Sequence, residues 1–343
     1  MRPILTRTVA LIESPTRDQR AAAAATGGDR AAHDAMQAAW PCLNTFELAQ
    51  PAAPLPAPTE LTVCAWNIER CKRVDDTAAV LRAAGADVVL ATEMDLGMAR
   101  SGQRHTTRDL ADALGMGYIY GTEFVELGTG DPFETAEFVG VPNDHGLHGN
   151  AILSRYPLIA PCLIPLDDGG LWYVTNPKGD GQHRVGGRMA MAAQIETARG
   201  PLTLAAAHYE SESDPALRAE QTRILLHGLS STYGHGPAVI GGDLNTNWLA
   251  DGTRTAAQIT ADPGAVEPAF AHFAKAGFDW RGAVTPGFTT RGAPGRPAKY
   301  PLMVLDWLLV RGVSPFQPRI WPALSSSGQY LSDHEMLSVR IVA

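Results

Sequence analysis

From Leu61 to the C-terminus, apolar runs of strand length recur, punctuated by Gly, Pro, Asn and Asp. LTVCAWNIE, ADVVLATE, GNAILSRY, RMAMAAQIE, LTLAAAHY, AVIGGDLN, VLDWLLV and EMLSVRIV have the length and apolar content of buried strands. Helical patterns lie between some of them: DDTAAVLRAAG, TTRDLADALG, ALRAEQTRILLHGL and AVEPAFAHFAKAG. RMAMAAQIETARGPLTLAAAHY reads as a hairpin turning at Ala198 to Pro201, whereas helices separate other strands, so mixed pairing is expected. The pattern predicts an α/β fold of two sheets packed together with helices outside. No repeat period of about 20 to 50 residues is visible, which argues against a solenoid or propeller.

Residues 1–59 differ from the rest. An Ala-rich run and a helical pattern, AAHDAMQAAW, lead into PAAPLPAPTE, whose prolines favour extended backbone. The expected organisation is an appendage and linker over 1–59 and one large domain over 60–343. At 343 residues and 45% hydrophobic content the chain can furnish a sizeable core. Its 36 acidic against 28 basic side chains give a net charge of -8, which argues against a surface that grips nucleic acid by charge alone. Cys42, Cys64, Cys71 and Cys162 form neither a C-x-x-C pair nor a zinc spacing and read as reduced structural thiols. The opening MRPILTRTVALIESPTRDQR has arginines on both sides of a short apolar stretch, unlike a secretory signal. No segment approaches the about 18 unbroken apolar residues of a membrane span, so the cytoplasm is the expected location. Glycine-rich loops at 128–149, 169–187 and 282–295 are long enough to shape a substrate site.

Five of the runs carry polar groups that a buried strand has no structural need of: Asn67 and Glu69, Glu93, His208, Asp243 and Asn245, and Asp306. A further cluster, Ser332-Asp333-His334, precedes the last strand. Because side chains alternate along a strand, Asn67 is expected to share a face with Glu69, and Asp243 with Asn245. Strand ends on one edge then converge on an acidic, imidazole-containing pocket. Collected carboxylates repel one another and are costly to desolvate, so a hard cation is the natural neutraliser, and oxygen donors suit Mg²⁺ or Mn²⁺ better than zinc. Asp306, between Leu305 and Trp307, needs a partner if buried, and a histidine is favoured.

WNIE, the glutamate of ATEMD, GNAILSRYPL, the histidine of AAAHYES, GGDLNT, LDWLLV and SDHEML together resemble, in order and spacing, the endonuclease/exonuclease/phosphatase superfamily over about Leu61 to Val342. The resemblance implies a four-layered α/β sandwich, two mixed β-sheets packed face to face with helices outside. It implies a phosphoric ester hydrolase, a phosphodiesterase or nuclease-like enzyme, in which water attacks without a covalent intermediate. By it, Asn67, Glu69, Glu93 and Asp333 are expected to hold the metal. Asp243 and Asn245 would orient the attacking water, His334 would act as general base or transition-state donor with Asp306 fixing its tautomer, and His208 would donate to a phosphate oxygen or the leaving group.

The substrate is less defined. Asp95 stands where the family often has a basic or polar residue two after the metal glutamate, His208 stands where abasic-site endonucleases tend to have tyrosine, and inositol phosphatase loops are not evident. A phosphate ester is the expected substrate, with nucleic acid among the candidates and no protein partner inferable. Arg104, Arg188 and Asn150 are candidate substrate contacts, as are Arg100, His105 and Arg108 and, in later loops, Arg184, Arg291, Arg296 and Lys299. His145 and His148 read as loop histidines. Leu171, Trp172 and Tyr173, if exposed at a loop tip, would favour a lipid phosphodiesterase. A phosphomonoesterase fits the same motifs, and so does a non-catalytic binding protein that keeps the scaffold, since fold does not fix function.

Overall fold

A computed structural model of the chain describes residues 2–179, 182–294 and 302–343. The strands are β1 (Thr8–Val9), β2 (Phe46–Ala49), β3 (Glu60–Arg70), β4 (Val88–Leu96), β5 (Gly117–Glu126), β6 (Leu147–Ser154), β7 (Ile159–Pro165), β8 (Arg184–Gly186), β9 (Met189–Thr197), β10 (Gly200–His208), β11 (Ala238–Asp243), β12 (Asp306–Arg311), β13 (Ser314–Trp321) and β14 (Met336–Val342). The helices are α1 (Arg17–Ala25), α2 (Arg30–Ala39), α3 (Val74–Ala84), α4 (Thr106–Leu114), α5 (Pro132–Glu137), α6 (Pro215–Tyr233), α7 (Ala256–Ala261) and α8 (Ala269–Lys275). One sheet runs β1-β2-β5-β6-β4-β3-β14-β13, with β8 on β5, and the other runs β12-β11-β10-β9-β7. Both are mixed: β3 pairs parallel with β4 and β10 with β11, while β9 and β10 form the expected hairpin.

The continuous apolar character of the strands follows from burial on both faces. Along β3, Leu61, Val63 and Ala65 point into the space between the sheets, whereas Cys64 and Trp66 point to the outer helices. On β10, Leu204 and Ala206 face inward while Ala205 and Ala207 face α6 and α8. Helices α3 and α4 cover the first sheet through Leu81 and Leu110; α6 and α8 cover the second through Leu225 and Phe270. Three apolar interfaces thus make four layers. Each fully buried Leu or Val contributes roughly 1.5–3 kcal/mol. Close approach of the sheets needs Gly241, where a Cβ would lie 2.8 Å from Leu90 and 2.9 Å from both Ala65 and Leu308.

The expected appendage over 1–59 is corrected by the packing. β2 pairs antiparallel with β5, β1 pairs parallel with β2, and Phe46 is wholly buried between the sheets. Leu5 exchanges two 2.9 Å backbone hydrogen bonds with Leu163 of the other sheet. A few well-placed apolar side chains suffice to dock a segment whose bulk composition reads as a tail. The helix expected over AAHDAMQAAW forms as α2, and the proline-rich stretch before β3 carries neither helix nor strand. All four cysteines are buried free thiols. Among the described residues no helix is long and apolar enough to cross a membrane.

Candidate active site

The tips of β3 and β4 leave the regular strand conformation. Glu69, Arg70 and Cys71 have φ of 40°, 75° and 51°, and Glu93 has φ of 60°. Left-handed backbone costs a non-glycine residue roughly 1–3 kcal/mol and persists where surroundings over-determine it. It also breaks the two-residue alternation: pairing of β3 with β4 shifts register between Asn67 and Arg70, so Glu69 reaches the site through a turn and not through a shared strand face. Asn245 lies past the end of β11 with φ of 48°, and the same correction applies to its pairing with Asp243. Asn67 Nδ2 donates to Glu93 Oε1 and Asp243 Oδ2, both at 3.1 Å, and so ties the two sheets together. Glu69 Oε2 accepts from the Tyr330 hydroxyl at 2.6 Å and from the Asp333 N–H at 3.2 Å. Arg70 forms an ion pair with Glu93.

In the second sheet, strand register brings three site residues into one row. His208 is the cross-strand partner of Asp243, and Asp243 that of Asp306. His334, just before β14, closes the row: its Nδ1 lies 2.7 Å from Asp306 Oδ2 and its Nε2 3.7 Å from Asp243 Oδ2. Ser332 holds that turn, its hydroxyl donating to Asn67 O at 2.6 Å and accepting from the His334 N–H at 3.0 Å. Burial alone would lower the His334 imidazole, but Asp306 and Asp243 outweigh it and keep the ring protonated well above its usual range. Asp243 Oδ1 accepts from the Asn245 N–H at 2.8 Å, and Asn245 Nδ2 donates to Tyr209 O at 2.8 Å. His208 Nε2 lies 3.8 Å from Asp243 Oδ2, while its Nδ1 meets Glu123 Oε2 at 3.1 Å.

These groups border a cleft of about 230 Å³, shared by Glu69, Glu93, Asp243, Asn245, Asp333, His208 and His334 and also by Arg70, Trp172, Lys178, Arg184 and Arg188. Arg188 contacts Glu123 and Glu210 at 3.1 Å and the His208 ring at 3.1 Å. Asn67 and Asp306 are buried at the floor of the cleft, bonded to its lining groups Glu93, Asp243 and His334. Asn150 is fully buried: its Oδ1 accepts from the Glu93 N–H at 3.4 Å and its Nδ2 donates to Met189 O, so it props the Glu93 backbone and does not face the cleft. Arg104 pairs with Asp109 at 2.6 Å on the surface, and the exposed Arg108 likewise lies outside the cleft lining. Arg100 is buried in ion pairs with Asp95 and Glu134, and His105 is bound to Glu47 at 2.7 Å. His148 sits within β6 and borders the cleft, its Nδ1 2.8 Å from Asp95, whereas His145 meets Ser14. Trp172 and Tyr173 are 2% and 0% exposed, which removes the loop-tip reading. Arg291 pairs with Glu335; Arg296 and Lys299 lie outside the described residues.

Glu123, Glu210, Arg70 and Tyr330 were not singled out from the sequence. Glu123 had the same signal as the others, a carboxylate in the apolar run GYIYGTEFVE, which is β5. Burial raises its carboxyl, yet His208 and Arg188 prevail and hold it at about 2.

Among the described residues, one group of side chains brings its donor atoms close enough to share a cation. Asp243, Asp306 and His334 offer atoms within 4.8 Å of one another, but Asp306 and His334 are already committed to each other. Glu69, Glu93 and Asp333 border the cleft with oxygen donors alone, and Asn67 bonds to Glu93 from beneath. There, burial and then the neighbouring Asp333 push Glu69 above the usual carboxylate range, against the opposing Tyr330 hydroxyl, Arg70 and Lys72.

Comparison with known proteins gives the same architecture. An endonuclease/exonuclease/phosphatase from Beutenbergia cavernae is 19% identical, with 83% of this chain and 72% of that chain covered and a TM-score of 0.54. A second, from Bacteroides vulgatus, is 17% identical over 82% of this chain and 98% of that one, with a TM-score of 0.53. D. rerio TDP2 complexed with single strand DNA product is 15% identical over 83% and 100%, with a TM-score of 0.50. No curated protein matches the sequence. The model of the Endonuclease/Exonuclease/phosphatase family matches residues 64–334, a span that contains every residue of the site from Asn67 to His334, and the chain belongs to that family.

Proposed function

We propose that this chain hydrolyses phosphate esters, as a phosphodiesterase or nuclease-like enzyme, with Mg²⁺ or Mn²⁺ held by Asn67, Glu69, Glu93 and Asp333. When bound, such an ion supplies positive charge that polarises a phosphoryl oxygen. The observation that carries the reading is the row His208–Asp243–Asp306 closed by the 2.7 Å His334–Asp306 pair. Asp306 keeps the Nδ1 proton of His334 and turns Nε2–H toward the reacting phosphate. Held as imidazolium, His334 acts better as a donor to developing negative charge than as a base. Asp243, its carboxylate fixed by the Asn67 amide and the Asn245 N–H, aligns water and accepts its proton. His208, with Arg188 beside it, faces phosphate oxygens from the other side of Asp243. No side chain need attack phosphorus.

Nucleic acid stays among the substrates, since D. rerio TDP2 carries the fold with a single strand DNA product; the net charge of -8 favours smaller esters. The test is hydrolysis of bis(p-nitrophenyl) phosphate and p-nitrophenyl phosphate with Mg²⁺ or Mn²⁺, with and without chelator. Faster turnover of the diester, abolished by chelator, is expected. Inactivity on both esters and on DNA and RNA would leave the scaffold as a binding module, and undiminished activity in chelator would remove the metal.

A further inference from the structure

Among the described residues, two cleft cations make no side-chain hydrogen bond, Arg70, which is paired with Glu93 and Glu134, and Arg184. Arg184 is 7% exposed and borders the cleft, but its Nε, 3.1 Å from Glu126, makes no hydrogen bond there. Among the described residues, its terminal nitrogens make none either. Its guanidinium carbon lies over two aromatic rings, 4.7 Å from the centroid of Trp172 and 5.3 Å from that of Phe124. A cation–π contact is not one of the fork's N–H hydrogen bonds, so it leaves those donors to be filled. Arg188 provides the contrast: it lies 5.2 Å from the same Phe124 ring, yet its donors are taken by Glu123, Glu210 and Ser211.

Glu126 does not satisfy Arg184. That carboxylate also faces Arg100 at 3.6 Å and Gln182 at 3.4 Å. Burial, together with crowding by Arg70, Arg188 and Arg100, disfavours the Arg184 cation, with Glu126 alone opposing. A buried guanidinium with unfilled donors beside an anion-processing cleft is completed by an oxyanion, for which its fork is shaped. Lys178, 5.2 Å over the Trp172 ring, borders the same part of the cleft.

We propose that Arg184 binds a second phosphate of the substrate, separate from the one cleaved between Asp243 and the two histidines; this rests on the phosphate-ester reading above. The second phosphate comes from a small bisphosphorylated molecule or from the adjoining link of a nucleic acid strand.

The test pairs substrates that differ only in that group. In Mn²⁺, the p-nitrophenyl ester of thymidine 5′-phosphate is compared with and without a 3′-phosphate. The full chain should prefer the bisphosphorylated form by about tenfold or more in kcat/KM. Arg184→Lys keeps a charge against Glu126 but loses the fork, and should bring that ratio to within about threefold. Calorimetry without metal, using propane-1,3-bisphosphate against propyl phosphate, gives a readout independent of turnover, with the same loss of preference expected. If the unaltered chain treats both members of each pair alike, the proposal is overturned, whether or not the variant folds. If neither ester is hydrolysed but the binding preference and its loss persist, the subsite stands and the hydrolase reading falls. A kinetic preference extended by pTpT over TpT, without one for the alkyl bisphosphate, assigns the site to a nucleic acid strand; preference for the alkyl bisphosphate assigns it to a small molecule.

Discussion

Two groups of buried charges lie along β4, two residues apart, and they are built oppositely. At Glu93 one cation, Arg70, faces several acids: Asn67 bridges Glu93 to Asp243, and Glu69 stands against Asp333 close by. At Asp95 every charge has a partner. Arg100 grips Asp95 with two 2.9 Å hydrogen bonds and Glu134 with one of 3.0 Å, and His148 adds a contact at 2.8 Å. The carboxyls respond in opposite senses. Burial raises both, but Arg100 drives Asp95 far below its usual range, whereas Asp333 adds to the rise at Glu69. A buried ion pair that satisfies itself is architecture; carboxylates in contact with one another at a cleft mark where the proposed cation would be held.

The sharpest way to break this contrast is at Glu93. Glu93→Gln keeps the shape and removes the charge, so turnover should fall to roughly a thousandth or less while the thermal transition stays. Retained activity would mean that the acidic group holds no catalytic cation. Next in size is the His334 pair. Asp306→Asn should lower kcat by roughly two to four orders of magnitude with little change in KM, and His334→Ala at least as much. The double variant should lose little beyond His334→Ala, because the two act as one unit; multiplying losses would separate them.

On the paired side the expected effect is on stability. Arg100→Met leaves the buried Asp95 without its cation, while Glu134 keeps Lys72 and Arg70, and should cost about 3–5 kcal/mol in denaturant unfolding, with turnover per folded molecule changed only a few-fold. A collapse of turnover with unchanged stability would reverse the assignment of the two groups. The smallest effect is with pH. Burial pushes the His148 imidazole down to about 4, against about 6.5 unfolded. Between those values the unfolded chain takes up the proton first, so stability present above about pH 6.5 is lost as pH falls toward 4, by up to about 3 kcal/mol. Glu123, held at about 2 against an unfolded value near 4.5, extends the loss at lower pH by the same sign. His148→Asn should flatten the upper part of the profile, measured as urea midpoints between pH 7 and 4. A slope unchanged in that variant would place the titration elsewhere.

Much of the fold was legible because its signals are local. The eight strand runs and the four core helices stand in the sequence as apolar segments ended by turn residues, and each is an element of the structure. The strands passed over have weaker or mixed signals: β7 and β13 carry internal prolines, and β5 begins and turns on glycines and carries two glutamates. Residues 1–59 misled for a related reason, since Phe46 and Leu5 dock through contacts with β5 and Leu163 that no neighbouring residue announces.

For the site, the residue types and their places at strand ends were readable from the sequence, because a carboxylate or imidazole at the end of an apolar run is a local anomaly. What only the tertiary structure decided is which of them meet. Alternation alone would put Asn67 beside Glu69, but left-handed turns at Glu69 and Asn245 redirect the chain, and those turns are stable only through partners such as Tyr330 and Tyr209. The sequence likewise offered Arg100, Arg104, Arg184 and Arg188 among its candidates for phosphate; burial against Asp95 removed the first and the surface pair with Asp109 the second, while Arg184 and Arg188 border the cleft. Register across β10, β11 and β12 set His208, Asp243 and Asp306 in one row, with His334 brought to it from beyond the chain's last long loop. Hydrophobic period and turn chemistry act over a few residues and are written in order along the chain, whereas charge pairing acts through space and depends on how whole sheets are aligned.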